Sequence, residues 1–380
     1  MLKWIEISEK ALVHNLRLIR NLLKHGTKLL FTVKANAYGH GLKEIASICE
    51  KHNLVDAYGV HSIEEALKLR EIGVNRDILI LGYVEEKELI YGLEKNIKFT
   101  VYNLSMIKKL NSIAKKLSKK AVIHLKIETG TGRQGILKKD WEKIKNYLKK
   151  AENIDFEGIS SHFANIEDTT DHSYAEYQFE RFMNFVKRVK QDGFSPRVKH
   201  FSCSASTLLF PRTHLDMVRI GISGYGYWPS KETYLSFLLK KGKEIKLEKV
   251  LSFYTKISQI KILEEGSFIG YGLTYKTNSN TKIAILPVGY YDGVDRKLSN
   301  TGYFIIKGKR AAIRGRVCMN ITVTDITTIK DVKIEDRVVL LGRERDENLT
   351  ADDWAGKINT INYEVLSRLS PFIRRVVNEN

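Results

Sequence analysis

The sequence predicts an α/β protein, in which an N-terminal (β/α)8 barrel of the TIM type is followed by a C-terminal, mostly β domain. Two observations predict this fold. Over roughly the first 230 residues, eight short apolar runs alternate with helical patterns. After about residue 240, runs rich in Val, Ile, Thr and Tyr alternate with short Gly, Asn and Asp turns, which is typical of an all-β domain.

The predicted barrel begins after a helix that Ser8 can cap and whose apolar residues share one face, namely Leu12, Leu16, Ile19 and Leu23. The strand runs are 29–34, 55–60, 77–81, 98–101, 122–128, 155–161, 198–202 and 216–222. The helical stretches are 42–52, 62–72, 85–94, 103–118, 139–151, 173–192 and 204–210. Eight strands favour a closed barrel over an open sheet, and no G-x-G-x-x-G dinucleotide motif follows the first strand.

The β domain is predicted from strand runs at 250–263, 282–288, 303–306, 311–317, 321–326 and 337–341. A last helix is expected from Thr350, because Thr350 and Asp353 have the spacing of a capping box. We therefore expect a barrel domain at 1–238 and a β-rich domain at 239–380.

Composition places the chain among globular enzymes, with 43% hydrophobic and 28% charged residues. The net charge is +19, and many of its lysines are dispersed in pairs, most of them within helical patterns. Nucleic-acid binding would favour a clustered basic stripe with interleaved aromatics, so no nucleic-acid partner is expected. A secondary interaction with a polyanion stays open.

Compartment is predicted from the cysteines and the N-terminus. Cys49, Cys203 and Cys318 lie far apart without metal-type spacing, which indicates a reducing compartment and no metal site. Residues 1–6 lack the apolar segment of a signal peptide, and no apolar run is long enough to span a bilayer. We expect a cytoplasmic protein without a membrane partner.

Lys34 is the first candidate for chemistry. It closes an apolar strand run and precedes a polar turn, Ala-Asn-Ala-Tyr-Gly-His-Gly, at 35–41. A strand that delivers an amine to its C-terminal end places it at the mouth of a barrel, where lysine can serve as a Schiff-base nucleophile. A surface lysine is the plain alternative for Lys34 taken alone.

Polar residues at other strand ends point to the same mouth. In strand 122–128, His124, Lys126 and Glu128 should face the barrel interior, and the next loop carries Arg133. An ordinary layer of ion pairs is the alternative for this strand. The remaining strand ends supply His162, Ser204, Arg219 and the glycine-rich segment 221–226, whose backbone N–H groups can approach an anion.

These residues resemble the alanine racemase family. Val33-Lys34-Ala-Asn-Ala-Tyr-Gly-His-Gly41 resembles its pyridoxal-phosphate (PLP) attachment motif. The resemblance continues in order through 129–133, 219–222, 270–272, 287–293, 315–319 and 361–364. The family fold, a PLP-binding barrel with a C-terminal β domain, agrees with the fold predicted above.

The resemblance implies a role for each matching residue. Lys34 would carry the cofactor and act as one base, and Tyr271, from the partner subunit of a homodimer, as the other. Arg133 would contact the cofactor's phenolic oxygen and the substrate carboxylate, which Met319 of the second protomer also contacts. The other implied cofactor residues are Tyr38, Ser204, Gly221, Ile222 and Tyr363 for the phosphate, Arg219 for the pyridine nitrogen, and His162 nearby. A substrate gate is implied at Tyr290, Arg296, Arg316 and Tyr363, and Lys126 matches a lysine that is often carbamylated.

The function implied is interconversion of L- and D-alanine by two-base proton transfer on a PLP external aldimine, supplying D-alanine for peptidoglycan. Two positions depart from the common pattern: Cys203 stands where many members have Asn, and Asn320 where many have Asp. Alternatives are a serine or broad-specificity racemase, an amino-acid decarboxylase of similar architecture, and a non-catalytic PLP-binding protein.

Overall fold

A computed structural model describes residues 1–242 and 244–379. The strands are β1 (Lys3–Ser8), β2 (Lys28–Thr32), β3 (Ala57–Val60), β4 (Asp77–Ile80), β5 (Lys98–Val101), β6 (Ala121–Lys126), β7 (Ile154–Ser160), β8 (Val198–His200), β9 (Met217–Ile220), β10 (Leu251–Lys256), β11 (Gln259–Leu263), β12 (Thr281–Leu286), β13 (Tyr303–Ile306), β14 (Lys309–Ala312), β15 (Thr322–Asp325), β16 (Arg337–Glu344), β17 (Glu347–Leu349) and β18 (Arg375–Asn378). The helices are α1 (Glu9–Leu22), α2 (Lys34–Tyr38), α3 (Leu42–Lys51), α4 (Ile63–Glu71), α5 (Leu89–Glu94), α6 (Leu104–Lys116), α7 (Trp141–Leu148), α8 (Ser173–Gln191), α9 (Ser204–Leu209), α10 (Lys231–Lys241), α11 (Ala351–Ile358) and α12 (Asn362–Ser367).

The chain divides into two compact units, which are described separately. The barrel unit contains residues 12–35 and 45–248, and the β unit contains residues 1–11, 36–44 and 249–380. Each unit is built from separate segments of the chain, whereas the predicted domains, 1–238 and 239–380, have a single boundary. Those domain limits stay a prediction.

Eight parallel strands form the sheet of the barrel unit, in the order β8-β7-β6-β5-β4-β3-β2-β9. The two ends of this order approach each other, because Arg219 N donates to Ser202 O over 3.1 Å and Asp216 N donates to Lys199 O over 3.1 Å. The sheet is therefore a nearly closed barrel. The predicted fold class is confirmed.

Apolar side chains from five strands fill part of the barrel interior. Leu30, Ala57, Leu79, Val198 and Met217 form one buried cluster. The surrounding helices are amphipathic, as the sequence periodicity predicts; burying the apolar face of each helix stabilises it against the sheet.

The β unit contains a seven-stranded sheet and a three-stranded sheet. In the larger sheet the strands follow the order β14-β13-β16-β10-β1-β18, and β17 pairs with β16. The smaller sheet has the order β11-β12-β15. The prediction of one strand over 250–263 was wrong. Ile257 N donates to Asp336 O and Ser258 N donates to Ile285 O, so the chain passes from one sheet to the other between these residues.

Other elements differ in how well the sequence predicted them. The capping box at Thr350 is confirmed, since Thr350 Oγ1 accepts from Asp353 N over 3.3 Å and Asp353 Oδ2 accepts from Thr350 N over 2.7 Å. Strands β1, β17 and β18 and helices α2, α10 and α12 were not predicted, and Lys34 lies in α2 and not at the end of the strand run 29–34. In the part of the chain described here, no helix combines the length and the apolar character needed to cross a membrane.

Candidate active site

Polar side chains gather at the C-terminal edge of the barrel, because the ends of parallel strands meet there. Lys34 follows β2, Lys126 ends β6, and His162 follows β7. Ser204 begins α9 directly after β8, and Arg219 lies in β9. The structure therefore brings these five predicted site residues to one edge of the barrel unit.

The turn after Lys34 is left-handed. Ala35, Asn36, Ala37 and Tyr38 have φ between 52° and 54°. Each non-glycine residue in this conformation costs roughly 1–2 kcal/mol. Strain of this kind persists where surrounding contacts hold it, and it concentrates at functional sites.

Glu65 holds the beginning of this turn. Its Oε1 accepts from Ala35 N over 2.6 Å, and its Oε2 accepts from His61 N over 2.7 Å. The sequence analysis did not identify Glu65, because nothing in its position within an amphipathic helix distinguishes it from a solvated carboxylate. Its carboxylate fixes the backbone next to Lys34.

The environment of Lys34 favours its neutral amine. Burial lowers the pKa of Lys34, the guanidinium of Arg133 lowers it further, and Glu65 raises it in part. A neutral amine has the free electron pair that a nucleophile needs. This lysine is therefore chemically different from an ordinary surface lysine.

The loop that carries Arg133 is organised by Glu128. The carboxylate accepts from Gly130 N, Thr131 N and Arg133 N over 2.5, 2.6 and 3.1 Å. Burial raises the pKa of Glu128, but these backbone donors outweigh burial and lower it. The carboxylate of Glu128 therefore holds the backbone of this loop. The side chain of Arg133 remains exposed beside the barrel edge.

Lys126 lies among cations. Burial lowers the pKa of Lys126 to about 8, and Arg219 and Arg133 contribute to the decrease. Its Nζ donates to Gln134 Oε1 over 3.3 Å. A lysine in this setting lacks a neutralising carboxylate at bonding distance among the described residues.

Arg219 has most of its donors occupied by the barrel. Nη1 donates to His200 Nδ1 over 2.7 Å and to His200 O over 3.0 Å. Nη2 donates to Ser161 O and Phe201 O over 2.8 and 2.9 Å and lies 3.2 Å from His162 Nδ1. Among the described residues, none accepts from Nε, which leaves that N–H available to a ligand.

A cluster of buried polar groups follows β8 and β9. Ser204 Oγ accepts from Gly221 N over 3.0 Å and from Ser223 N over 3.5 Å. Ser223 Oγ is buried and has no partner among the described residues. Buried hydroxyls rarely stay unpaired, so this arrangement suits a ligand with several acceptor oxygens.

A cavity of about 250 Å³ opens next to these groups and includes Arg133, His162 and Cys203 in its lining. Burial raises the pKa of the Cys203 thiol to about 11, and Glu167 raises it as well. The thiol is therefore neutral near pH 7. Cys203 adds no charge to this part of the site.

In the β unit, Tyr271 lies between two glycines, Gly270 and Gly272, with φ of 73° and 72°. A Cβ on Gly272 would lie 2.8 Å from Cζ of Arg316, so the loop and the guanidinium pack closely. The Tyr271 side chain is 75% exposed. Arg316 thus packs against Gly272, the residue that follows Tyr271.

Two further segments of the β unit are tied together by backbone bonds. Tyr290 N donates to Cys318 O and Tyr291 N donates to Met319 O, each over 3.0 Å. Met319 is 54% exposed. Tyr290 and Arg296 also line a cavity of about 390 Å³ within the β unit.

Tyr38 and Tyr363 form the last pair of predicted residues. Their ring centroids are 6.0 Å apart, with the rings tilted by 47°. Both residues belong to the β unit, although Tyr38 is only four positions from Lys34 in sequence.

Comparison with known proteins gives the family. The alanine racemase N-terminal domain matches residues 7–229, and the alanine racemase C-terminal domain matches residues 250–377. The chain belongs to the alanine racemase family. An alanine racemase of Leptospira interrogans is 40% identical over 377 residues, covering 98% of this chain and 95% of the relative.

Solved structures agree with this assignment. The alanine racemase of Clostridium difficile 630 superposes with a TM-score of 0.92 at 35% identity, covering 100% of this chain and 96% of the other. The alanine racemase of Bartonella henselae, with covalently bound pyridoxal phosphate, gives 0.85 at 27% identity, covering 100% of both. The predicted family and enzyme class are confirmed: the chain is a racemase of the alanine racemase family.

Proposed function

We propose that this chain interconverts L- and D-alanine with PLP held at Lys34. The observation that carries the proposal is an amine of lowered pKa at the C-terminal edge of the barrel, in a chain that aligns over 98% of its length with an alanine racemase. A lysine with a normal pKa would be protonated and a poor nucleophile near pH 7.

The barrel unit fits the chemical groups of PLP. Arg219 Nε–H is available for the pyridine nitrogen, and Ser204, Gly221 and Ile222 would hold the phosphate beside the unpaired hydroxyl of Ser223. Arg133 would contact the phenolic oxygen, and His162 lies beside Arg219. The phosphate roles of Tyr38 and Tyr363 stay predictions.

The reaction needs two bases, because racemisation removes a proton from one face of the α-carbon and returns one to the other. When bound, PLP supplies an electron-withdrawing ring that stabilises negative charge at that carbon. Lys34 Nζ would exchange the proton on one face, and the hydroxyl of Tyr271 would exchange it on the other. Arg133 and Met319 would hold the substrate carboxylate.

Arg219 would limit how strongly the cofactor ring withdraws electrons. Arginine does not readily give up a proton, so Arg219 would donate a hydrogen bond to the pyridine nitrogen without protonating it, which would leave PLP a weaker electron sink. A weaker electron sink disfavours side reactions such as transamination. An enzyme that must return an intact amino acid benefits from this restraint.

We propose a homodimer in which Tyr271 and Met319 serve the active site of the other protomer. Support comes from large apolar side chains of the β unit that are exposed in the single chain, which is typical of a protein interface. They are Phe268, Tyr271, Leu273, Tyr290, Tyr291, Met319 and Ile321. The gate residues Tyr290, Arg296, Arg316 and Tyr363 would control the passage of a small amino acid to this shared site.

Lys126 is proposed to be carbamylated. Its neutral Nζ would attack carbon dioxide, form an N–C bond and release one proton, which leaves a carbamate anion. The guanidinium groups that lower the pKa of Lys126 would stabilise that anion. Addition of ¹³C-labelled bicarbonate should give a carbamate carbon signal that is lost in Lys126→Gln.

The cellular role proposed is supply of D-alanine for peptidoglycan in the cytoplasm. The three cysteines support a reducing compartment, since all are free thiols in this structure. A strain that depends on external D-alanine should grow without it when it expresses this chain.

A chiral assay tests the catalytic proposal. Purified protein with PLP should convert either alanine enantiomer to the racemate, and serine should be run beside alanine to define the substrate range. Borohydride reduction followed by peptide mapping should find the cofactor on Lys34. Absence of D-alanine formation, or a label on another lysine, would contradict the proposal.

A further inference from the structure

A continuous row of hydrogen bonds crosses the barrel interior from Arg219. Arg219 Nη1 lies 2.7 Å from His200 Nδ1, His200 Nε2 lies 2.8 Å from His124 Nδ1, and His124 Nε2 lies 2.9 Å from Glu157 Oε2. The exposed fractions are 8% for Arg219, 1% for His200, 2% for His124 and 6% for Glu157. The racemase chemistry described above uses only the Arg219 end.

The two ends of this row require the same proton arrangement. Arginine can only donate, so His200 Nδ1 must accept, and a neutral His200 then carries its hydrogen on Nε2. That hydrogen is donated to His124 Nδ1, which leaves the hydrogen of His124 on Nε2. An ionised Glu157 can only accept, and it accepts this last hydrogen.

The charges of the row support this arrangement. Burial lowers the pKa of His124, although Glu157 raises it in part, and burial and Arg219 lower the pKa of His200 well below its usual value. Burial raises the pKa of Glu157, but its bonds to His124 and Lys98 outweigh burial and lower it to about 2. Near pH 7, two neutral imidazoles therefore connect a guanidinium to a carboxylate.

Glu157 is held at its end by other charges. Lys98 Nζ lies 2.7 Å from Glu157 Oε2 and 2.7 Å from Asp77 Oδ2. Arg197 Nη2 lies 3.4 Å from Glu157 Oε1, but its closer bonds, over 2.6 and 3.0 Å, go to Asp155. Since Lys98 and His124 share one oxygen, the carboxylate cannot turn without breaking two bonds.

The backbone makes room for the row. The register between β6 and β7 shifts between Ile123 and His124. A Cβ on Gly158 would overlap the ring of His124, so a larger residue there would displace the imidazole. The barrel is thus shaped around His124.

We propose that Glu157 is a positioning residue, which fixes the Nε2–H tautomers of His124 and His200 and thereby holds Arg219 with its Nε–H directed to the ligand. The proposal rests on the proposed function for the identity of that ligand. A buried guanidinium without an adjacent carboxylate needs compensation, and the relayed charge of Glu157 supplies it. Hydrogen bonds in such a row also polarise one another.

Imidazole tautomers test the proposal without any turnover. The full-length protein is labelled with ¹⁵N in its histidine rings, and signals are assigned with His124→Asn and His200→Asn. We expect the directly bound hydrogen on Nε2 in both rings, unchanged between pH 6 and 9. A hydrogen on Nδ1 of either ring in the wild-type protein overturns the proposal.

A variant tests the consequence for the ligand. Glu157→Gln keeps an acceptor for His124 and removes the charge, and Glu180→Gln is the matched control, since Glu180 is an exposed glutamate of α8 away from the row. In the holoenzyme we expect Glu157→Gln to lower kcat about tenfold with little change in KM, the loss typical of one charge-assisted bond, and to shift the absorption of the cofactor. Glu180→Gln should stay within about twofold of wild type.

The outcomes separate this proposal from the proposed function. Equal kinetics and spectra for the two variants would overturn the role of Glu157 while leaving the racemase intact. A wild-type protein without racemase activity would contradict the proposed function, yet the tautomers would still be measurable. If Glu157→Gln does not fold, the wild-type protein still tests the proposal, because a hydrogen on Nδ1 of either ring overturns it.

Discussion

Lys126 offers a quantitative test of the electrostatics at the barrel edge. Its pKa is about 8 in the folded protein, against 10.5 for an unperturbed lysine. This difference corresponds to about 3 kcal/mol of unfavourable interaction in the charged form. We therefore expect Lys126→Gln to raise the free energy of unfolding by up to about 3 kcal/mol at pH 7 in buffer free of carbon dioxide.

The pH dependence follows from the direction of the shift. Because the folded pKa lies below the unfolded one, the penalty is fully present below about pH 8 and disappears as pH rises through 10.5. The advantage of Lys126→Gln should thus fall below about 1 kcal/mol at pH 10.5. Bicarbonate should stabilise the wild type and not the variant, because carbamylation removes the positive charge.

Urea unfolding of the holoenzyme at pH 7 and pH 10.5, with and without bicarbonate, measures these differences. Lys116→Gln is the matched control, since Lys116 is an exposed lysine near the end of α6. Its change should stay within about 0.5 kcal/mol. A Lys126→Gln protein that gains no stability at pH 7, or that gains equally at pH 10.5, would show that Lys126 carries no charge penalty in the folded protein.

Three other predictions concern the shared site and the backbone. Mixing Lys34→Ala with Tyr271→Phe subunits should restore about a quarter of wild-type activity, since half the dimers would be mixed and each would hold one intact site; no recovery would place both bases in one protomer. Gly39→Ala should lower the urea midpoint far more than Gly26→Ala does. Both glycines have nearly the same φ, 81° for Gly39 and 82° for Gly26, but an added Cβ would overlap a backbone carbonyl at position 39 and would meet nothing within 4 Å at position 26. Equal losses would show that conformation alone sets the cost. Glu128→Gln should reduce kcat/KM about tenfold by loosening the loop of Arg133, and wild-type activity should fall as acid protonates Glu128 below its ordinary pKa; an unchanged kcat/KM would contradict this.

Local patterns allowed much of the barrel edge to be predicted. The polar residues at the ends of β2, β6, β7, β8 and β9 could be placed together from strand order alone, because parallel strands share one C-terminal edge. Lys34 was identified by its position between an apolar run and a polar turn. The specific roles came from the resemblance, since spacing alone left a surface lysine and an ion-pair layer as alternatives.

Elements that depend on distant partners were harder to predict. Strand β1 pairs with β10 and β18, which lie about 245 and 370 residues later in the chain. A short run such as Lys3–Ser8 carries no signal for partners so remote. The division of 250–263 between two sheets was missed for the same reason, because the apolar pattern continues across Ile257 and Ser258 while the hydrogen-bond partners change.

Periodicity and neighbouring residues in the chain were enough to predict the barrel, the all-β character of the C-terminal region and the position of Lys34 after an apolar run. Tertiary structure alone decided that Glu65 holds the strained turn, that four donors of Arg219 are occupied, and that Glu157 lies at the far end of its hydrogen-bond row. The direction of a hydrogen bond and its burial depend on atoms that only folding brings within about 3 Å of each other. Residue spacing along the chain therefore does not predict which groups will bond.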